Sequence, residues 1–257
     1  MPSPSRRRSA VWRASILAGE LLRQMGGKAD ALKLYVGGLP KDPKPPFLYH
    51  LIFSVEGLIN EYVEPAIVLR NSKVTTIEPL TEPEDFHISS FDKLVAFHTS
   101  GGTSTMPETF AGKVGECFEK TLRYPSHFPM IRSLYDLGFF SSKKMKFGKS
   151  EIAPRELTAK LFLEKLTSDA PDVCIMRIEA HRDGRVASYS VVDYYDPATA
   201  MTAMMRTTAW PASIVVMMMA SGEITKRGGI KQESDVPAQK FLAEMKKRGI
   251  AIEHKAS

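Results

Sequence analysis

Apolar residues recur along this chain with two different periods. Six segments repeat them every three to four residues, which is typical of a helix with one buried face. Other segments alternate apolar and polar residues, or hold short apolar runs closed by turn-forming residues, as β-strands do. These patterns predict helices over residues 9–25, 51–63, 128–137, 154–166, 201–220 and 237–248, and strands over residues 32–36, 66–70, 73–77, 93–98, 116–123, 173–180 and 186–194.

Two pairs of these strands are separated by short turn sequences. Asn71-Ser72 lies between the first pair, and Arg182-Asp183-Gly184 lies between the last pair. Such turns join antiparallel strands, whereas an all-parallel doubly wound sheet lacks hairpins. The sequence therefore predicts an α+β fold with a mixed, largely antiparallel sheet, with helices packed on one face and no Rossmann domain.

The chain is expected to hold one domain after a short tail. Its 257 residues and 43% hydrophobic content suit one sizeable core. Residues 1–14 are rich in serine, proline and arginine, so we expect a disordered basic tail, followed by a domain over residues 15–257. The sequence shows no clear linker inside that domain, and the nearest to a domain boundary is the polar, lysine-rich segment 141–152. Pro211 falls inside the helix 201–220, where a kink or a restart is expected.

Charge and composition exclude several classes of partner. The net charge is +6, but the basic residues are scattered and their clusters are not interleaved with aromatic residues, so no nucleic-acid partner is predicted. The longest apolar run, residues 214–220, is far shorter than the roughly 20 residues of a membrane span, so no membrane partner is predicted. Two cysteines, Cys117 and Cys174, cannot form a disulfide framework, which favours a cytoplasmic location.

Motifs for cofactors and metals are missing from the sequence. No G-x-G-x-x-G turn is present to bring backbone amides to a dinucleotide. Gly148-Lys149-Ser150 mimics the end of a phosphate loop, but Lys143 occupies the place of its first glycine. The six histidines show no metal-ligand spacing. The chain alone is therefore predicted to bind neither a cofactor nor a metal.

Several polar and glycine-containing segments are unusual for structural filler. Taken together, they resemble the C-terminal domain of the saccharopine dehydrogenase and lysine 6-dehydrogenase family, over about residues 16–249. The segment that begins at Phe97 is the most specific, because such an ordered string of polar residues and glycines is improbable by chance. The segments are YVGGLP (35–40), FSVEGLINEY (53–62), FHTSGGTSTMP (97–107) with RYPSH (123–127), and DYYD (193–196) with MTAMMRTT (201–208).

The resemblance implies a place in a nicotinamide-dependent oxidoreductase. Family members carry an N-terminal Rossmann domain that binds NAD or NADP, while this domain supplies the amino-acid substrate pocket and contributes to a homodimer. The chemistry is hydride transfer to or from a carbon that bears an amine. Only residues 1–14 precede the domain here, so the isolated chain is expected to be inactive without a Rossmann-domain partner chain. The alternative is a non-catalytic amino-acid-binding or dimerisation module, a truncated or degenerate family member.

Within that resemblance, the glycine-containing segment is a candidate substrate loop. Gly101 and Gly102 allow backbone amides to approach a ligand, and the hydroxyls of Thr99, Ser100 and Thr103 can bond a carboxylate. The alternative is a tight turn that needs glycine only for its backbone angles.

Other candidates are charged or titratable. Arg123 could clamp a substrate carboxylate, and His127 could relay a proton near neutral pH or serve as a structural histidine. Arg206, with Thr202 on the same apolar helix, needs either a substrate or a protein carboxylate as partner. Glu56 raises the same question, and an internal Glu56–Arg206 pair would answer both.

Overall fold

The structure, a computed structural model, describes residues 11–89 and 91–257. Residues 1–10 of the predicted tail lie outside the described residues, and the first helix begins at Val11. The helices are α1 (Val11–Gln24), α2 (Val55–Val63), α3 (Met106–Phe110), α4 (His127–Asp136), α5 (Pro154–Leu166), α6 (Ala203–Ala220), α7 (Gln232–Asp235) and α8 (Ala238–Lys247). The strands are β1 (Ala29–Pro40), β2 (Ala66–Arg70), β3 (Lys73–Ile77), β4 (Glu84–Ile88), β5 (Phe91–Phe97), β6 (Val114–Arg123), β7 (Met145–Phe147), β8 (Ser150–Ile152), β9 (Asp172–Arg182), β10 (Arg185–Tyr194) and β11 (Glu253–Ala256).

Nine of the described strands form one mixed sheet. Its order is β11-β10-β9-β1-β6-β2-β3, with β5 also paired to β6 and β4 paired to β5. Strands β1 and β6 run parallel, and the other described pairs of this sheet run antiparallel. This arrangement confirms the predicted α+β class and its largely antiparallel sheet. Both predicted hairpins, β2–β3 and β9–β10, are present.

The backbone angles of the β2–β3 turn explain why its residues predict a hairpin. Asn71 and Ser72 have φ angles of 50° and 60°. Two consecutive residues with positive φ give the turn type whose twist matches that of the flanking strands, and asparagine tolerates this region well. Local chemistry at this point therefore fixes the strand register.

Three apolar clusters arrange the helices around the sheet. Helices α1, α6 and α8 share a core with one face of the sheet, through residues such as Leu17, Leu34 and Phe241. The opposite face buries Tyr35 and alternate residues of neighbouring strands. A third cluster joins α2, α4 and α5, and it includes Tyr62. The helices of the first cluster thus follow the predicted one-face packing, and α2, α4 and α5 form a separate layer.

Helix α1 approaches α7 closely at Gly19. A Cβ atom at this position would overlap the backbone carbonyl of Glu233. Glu233 is buried, and its Oε1 accepts hydrogen bonds from Thr105 and Thr109 at 2.8 and 2.6 Å. The contact between the two helices therefore depends on the absence of a side chain at residue 19.

Two details differ from the sequence expectations. Helix α6 continues through the buried Pro211 without a restart, and Ile214 and Val215 of the same helix also lie in the core. The lysine-rich segment around residue 145 is a small hairpin, β7–β8, separate from the main sheet.

Both cysteines are buried and unbonded to each other. No described helix has the length and apolar content to cross a membrane.

Candidate functional site

The loop 99–103 follows β5 and is held by its own side chains. All three hydroxyls bond to protein atoms, and the loop backbone is tied to the end of α2. Ser100 N donates to Glu61 O at 3.1 Å. These hydroxyls are therefore engaged within the protein, and their contact with a substrate stays a prediction. Thr99 Oγ1 lies 2.7 Å from Thr121 Oγ1, Ser100 Oγ donates to Asn60 O at 3.1 Å, and Thr103 Oγ1 donates to Ile67 O at 2.6 Å.

The two glycines of this loop serve different purposes. Gly101 has a φ of +87° and is exposed, with open space where a Cβ would lie. Gly102 packs on the carboxylate of Glu119, which a Cβ would overlap. Within the described part of the chain, the amides of both glycines donate to no acceptor. The loop therefore offers two backbone donors beside a carboxylate.

Arg123 stands at the end of β6 with only 3% of its surface exposed. Its Nη2 lies 3.3 Å from Glu61 Oε2, and its Nη1 donates to Leu122 O at 2.9 Å. The guanidinium also lies 4.8 Å from the ring centroid of Tyr49. Because Glu61 also receives the Ser100 amide on its backbone carbonyl, the ion pair braces the candidate loop. Arg123 acts here as a positioning residue within the protein.

His127 is the first residue of α4 and is completely enclosed. Its Nε2 lies 3.0 Å from Tyr62 Oη, and its Nδ1 lies 2.9 Å from Phe47 O. Burial, together with the nearby Arg123 charge, lowers the pKa of His127 to about 3. The neutral ring can donate from Nδ1 to the carbonyl and accept from the tyrosine at Nε2. The geometry thus supports the structural alternative rather than a proton relay at neutral pH.

A pH titration of stability tests this view of His127. The unfolded pKa is about 6.5, and the folded pKa is lower, so the stability from the neutral ring is complete above pH 6.5. It is lost as the pH falls from about 6.5 towards 3. We expect His127→Gln to show a smaller loss of urea stability between pH 7 and pH 5 than the parent. His87→Gln, at an exposed position, should lose as much urea stability between pH 7 and pH 5 as the parent. The same loss in His127→Gln as in the parent would contradict the structural role of His127.

Arg206 is paired with carboxylates of its own chain. Its Nε lies 3.0 Å from Asp193 Oδ2, and its Nη1 lies 3.1 Å from Asp196 Oδ2. Glu56 is exposed on α2 and lines a surface pocket of about 570 Å³. The Glu56–Arg206 pair left open by the sequence is therefore not formed, because the two aspartates of the DYYD segment take its place.

The start of α6 is fully capped by the chain itself. Thr202 accepts a hydrogen bond from Met205 N at 3.0 Å. The carboxylate of the buried Asp172 accepts from Ala203 N at 2.6 Å and from Met204 N at 2.9 Å. These bonds satisfy the amides that an anion would otherwise seek at a helix start. Thr202 thus has a structural role in this structure.

Sequence reasoning missed the acidic residues that organise the site. Glu61 lies in the segment 53–62, where the sequence favours Glu56 as the candidate, and Glu119 lies inside a predicted strand. A charged residue at a buried position of a helix or strand was the available signal, since such a residue requires a partner. Buried His98 was also passed over, although its Nδ1 contacts Glu119 O and its Nε2 contacts Glu82 Oε2, each at 3.2 Å.

All candidate residues except the exposed Glu56 fall into two groups. The loop 99–103, Arg123 and His127 lie in one connected network through Glu61 and Tyr62. Arg206 and Thr202 lie at the start of α6, and the contacts of that network do not reach them. Among the described residues, no group of three or more histidine, cysteine or acidic side chains could hold a metal ion.

Comparison with known proteins places this architecture in a family. The family model for the saccharopine dehydrogenase C-terminal domain matches residues 14–250. A saccharopine dehydrogenase (NADP+, L-glutamate-forming) of Pyricularia oryzae is 26% identical over 147 residues, which are 55% of this chain and 33% of the relative. The chain thus spans about a third of the length of that relative.

Two solved structures share the fold. Apo saccharopine dehydrogenase (L-Glu forming) from Saccharomyces cerevisiae has a TM-score of 0.73 and 16% identity, covering 95% of this chain and 71% of the other. The homospermidine synthase of Legionella pneumophila, solved with NAD, has a TM-score of 0.60 and 12% identity, covering 96% and 61%. The match over residues 14–250 shows that this chain belongs to the saccharopine dehydrogenase C-terminal domain family.

Proposed function

We propose that this chain forms the amino-acid-binding side of a saccharopine dehydrogenase-like, NAD(P)-dependent oxidoreductase. The family match over residues 14–250 carries the proposal. It is supported by the relatives named as saccharopine dehydrogenases, which extend well beyond the matched region. The nicotinamide cofactor would be held by a dinucleotide-binding domain, supplied by another part of the assembly.

We infer that the described residues do not hold the dinucleotide themselves. The glycine loop 99–103 leads into α3, which has only five residues, and the sequence holds no G-x-G-x-x-G turn. The N-terminus of the longer α6 is capped by Asp172. No step of hydride transfer is therefore assigned to residues of this chain.

The loop glycines are the proposed contact with the amino acid. The amides of Gly101 and Gly102 donate to no acceptor among the described residues, so they offer donors for a carboxylate. The buried carboxylate of Glu119, directly beside Gly102, adds a negative charge next to these donors. An amino acid carries both a carboxylate and an ammonium group, so a donor pair next to an acid suits its charges. Arg123 would hold the loop in this geometry through Glu61.

Calorimetry with defined amino acids tests the proposal. We expect saccharopine, lysine or glutamate to give binding heat with the parent chain, and Gly102→Ala to weaken binding at least about tenfold, because the new Cβ displaces Glu119 or the loop. The matched control is Gly229→Ala, which has open space at its Cβ and an ordinary φ. An absence of heat with all three amino acids would contradict the proposed site.

The alternative is a non-catalytic amino-acid-binding or dimerisation module. It is favoured by one observation: the hydroxyls of the loop, Arg123 and His127 all bond to protein groups. A mixture with a candidate cofactor-domain partner separates the two proposals. NAD(P)H production with a binding amino acid supports the oxidoreductase, whereas binding without production supports the module. The homodimer remains a proposal for sedimentation measurements.

A further inference from the structure

The β7–β8 hairpin stands apart from the rest of the fold. Met145 and Phe147 are 56% and 72% exposed, and five of the six strand residues are fully on the surface. Among the described strands, neither β7 nor β8 pairs with a third. A two-stranded hairpin without a buried face is marginally stable in water. The exposed apolar residues therefore point to a surface that is completed by another molecule.

The hairpin separates its apolar and charged residues onto two faces. Residues paired across an antiparallel ladder share a face, and the pairs are Met145↔Ile152, Lys146↔Glu151 and Phe147↔Ser150. One face thus carries Met145, Phe147 and Ile152. The other carries Lys146 and Glu151. A strand that contacts both faces must therefore alternate apolar and charged residues in the same way.

The outer edge of β7 is available for backbone pairing. The turn Gly148-Lys149 has two residues, so the closing pair Phe147↔Ser150 exchanges hydrogen bonds. The backbone N–H and C=O of Lys146 consequently point away from β8, towards the open edge. An added strand would find one donor and one acceptor at this residue.

The charge at this edge selects the partner. Residues 143–152 hold four lysines, at 143, 144, 146 and 149, and a single acid, Glu151. Within the described part of the chain, none of these lysines forms an ion pair. Edge lysines repel most strands. A second copy would place lysine opposite lysine, which is unfavourable, whereas an acidic strand would be attracted.

We propose that the outer edge of β7 binds an extended segment of another protein in which acidic and apolar residues alternate. The apolar residues of the segment would lie beside Met145 and Phe147, and its acids would face Lys146 and Lys144. This is strand addition, in which backbone bonds give affinity and the alternation gives specificity. An anionic lipid surface fits less well, because it would meet only one of the two faces.

Exposed apolar residues also flank the hairpin in the sequence. Leu157 and Leu161, one turn apart on α5, are 47% and 44% exposed, and Phe139 is 40% exposed. Thr158 Oγ1 donates to Phe139 O at 2.8 Å, which holds that segment against α5.

Fluorescence anisotropy with a defined peptide tests the proposal. The probe is a dye-labelled dodecapeptide in which Glu and Val alternate, compared with a peptide that alternates Lys and Val. We expect the acidic probe to bind and the lysine-containing peptide not to bind. Salt should weaken the binding of the acidic probe, and the Lys146 amide should gain protection from hydrogen exchange when the probe is bound. Lys146→Glu should weaken binding by about five- to tenfold. Lys146→Pro, which removes the edge donor, should weaken it more.

The matched control is Lys73→Glu on β3, an exposed lysine on an edge strand of the main sheet. It should leave binding unchanged, and an unchanged circular dichroism melt will show that each variant folds. Three results would overturn the proposal. In the first, the acidic probe does not bind. In the second, Lys146→Pro binds the probe as tightly as the parent does. In the third, phosphatidylserine vesicles capture the parent but not Phe147→Ser, while the peptide fails to bind.

Discussion

Replacing Arg123 with methionine is expected to destabilise the fold by about 3–5 kcal/mol. The guanidinium is enclosed, and its partner Glu61 has a side chain only 10% exposed. Removing the cation leaves a buried carboxylate without its compensating charge. Loss of the Glu61 anchor would also release the amide of Ser100 and so loosen the candidate loop.

Urea denaturation at pH 7 gives the measurement, and a double-mutant cycle gives its control. Arg123→Met with Glu61→Met removes both charges and should recover a large part of the lost stability, because an apolar pair of similar volume can replace a buried ion pair. A loss in the double variant equal to the sum of the losses in Arg123→Met and Glu61→Met would show that the two residues are not coupled. Amino-acid binding by the double variant then separates stability from loop positioning.

Gly19→Ala is expected to destabilise the protein by about 2–3 kcal/mol. Helix propensity alone predicts the opposite sign, since alanine in a helix interior is favoured over glycine by about 1 kcal/mol. The expected loss arises because the added methyl would meet the backbone carbonyl of Glu233 rather than a flexible side chain. Helices α1 and α7 would have to move apart.

Thermal and urea unfolding of this variant should therefore report a lower midpoint. Gly229→Ala, with open space at its Cβ, controls for the general effect of replacing a glycine. A more stable Gly19→Ala protein would mean that α7 yields easily. Hydrogen exchange of the α3 amides would then show whether α3 loosens as the bonds that Glu233 accepts from Thr105 and Thr109 are lost.

Strong local signals explain the parts of the fold that the sequence predicted. Helix α5 matches its expected bounds at both ends, and Pro154 starts it, although Leu157 and Leu161 lie exposed on its surface. The β2–β3 hairpin was readable from its turn residues. Strand β4 was not predicted, because its polar residues become a strand only by pairing with β5. The pairing between β1 and β6 likewise depends on residues far apart in sequence.

At the candidate site, the sequence indicates which residues lie together but not how they are buried. The sequence placed Arg123 and His127 in one segment, and the structure joins both to the same network. It could not show that both are enclosed, since burial arises from α2 packing against the end of β6. The charged Arg206 on an apolar helix correctly indicated a partner, but Asp193 and Asp196, rather than Glu56, supply it.

The central position of β1 has a consequence for synthesis of the protein. This strand pairs with β6 on one side and with β9 on the other, and Pro40 finds its partner only at Asp172. About 130 residues must be translated between the two, which takes roughly 7–26 s at common rates of synthesis. During that interval the nascent chain displays an open apolar strand. We expect a ribosome-bound chain that ends before β9 to recruit chaperones more strongly than one that includes it.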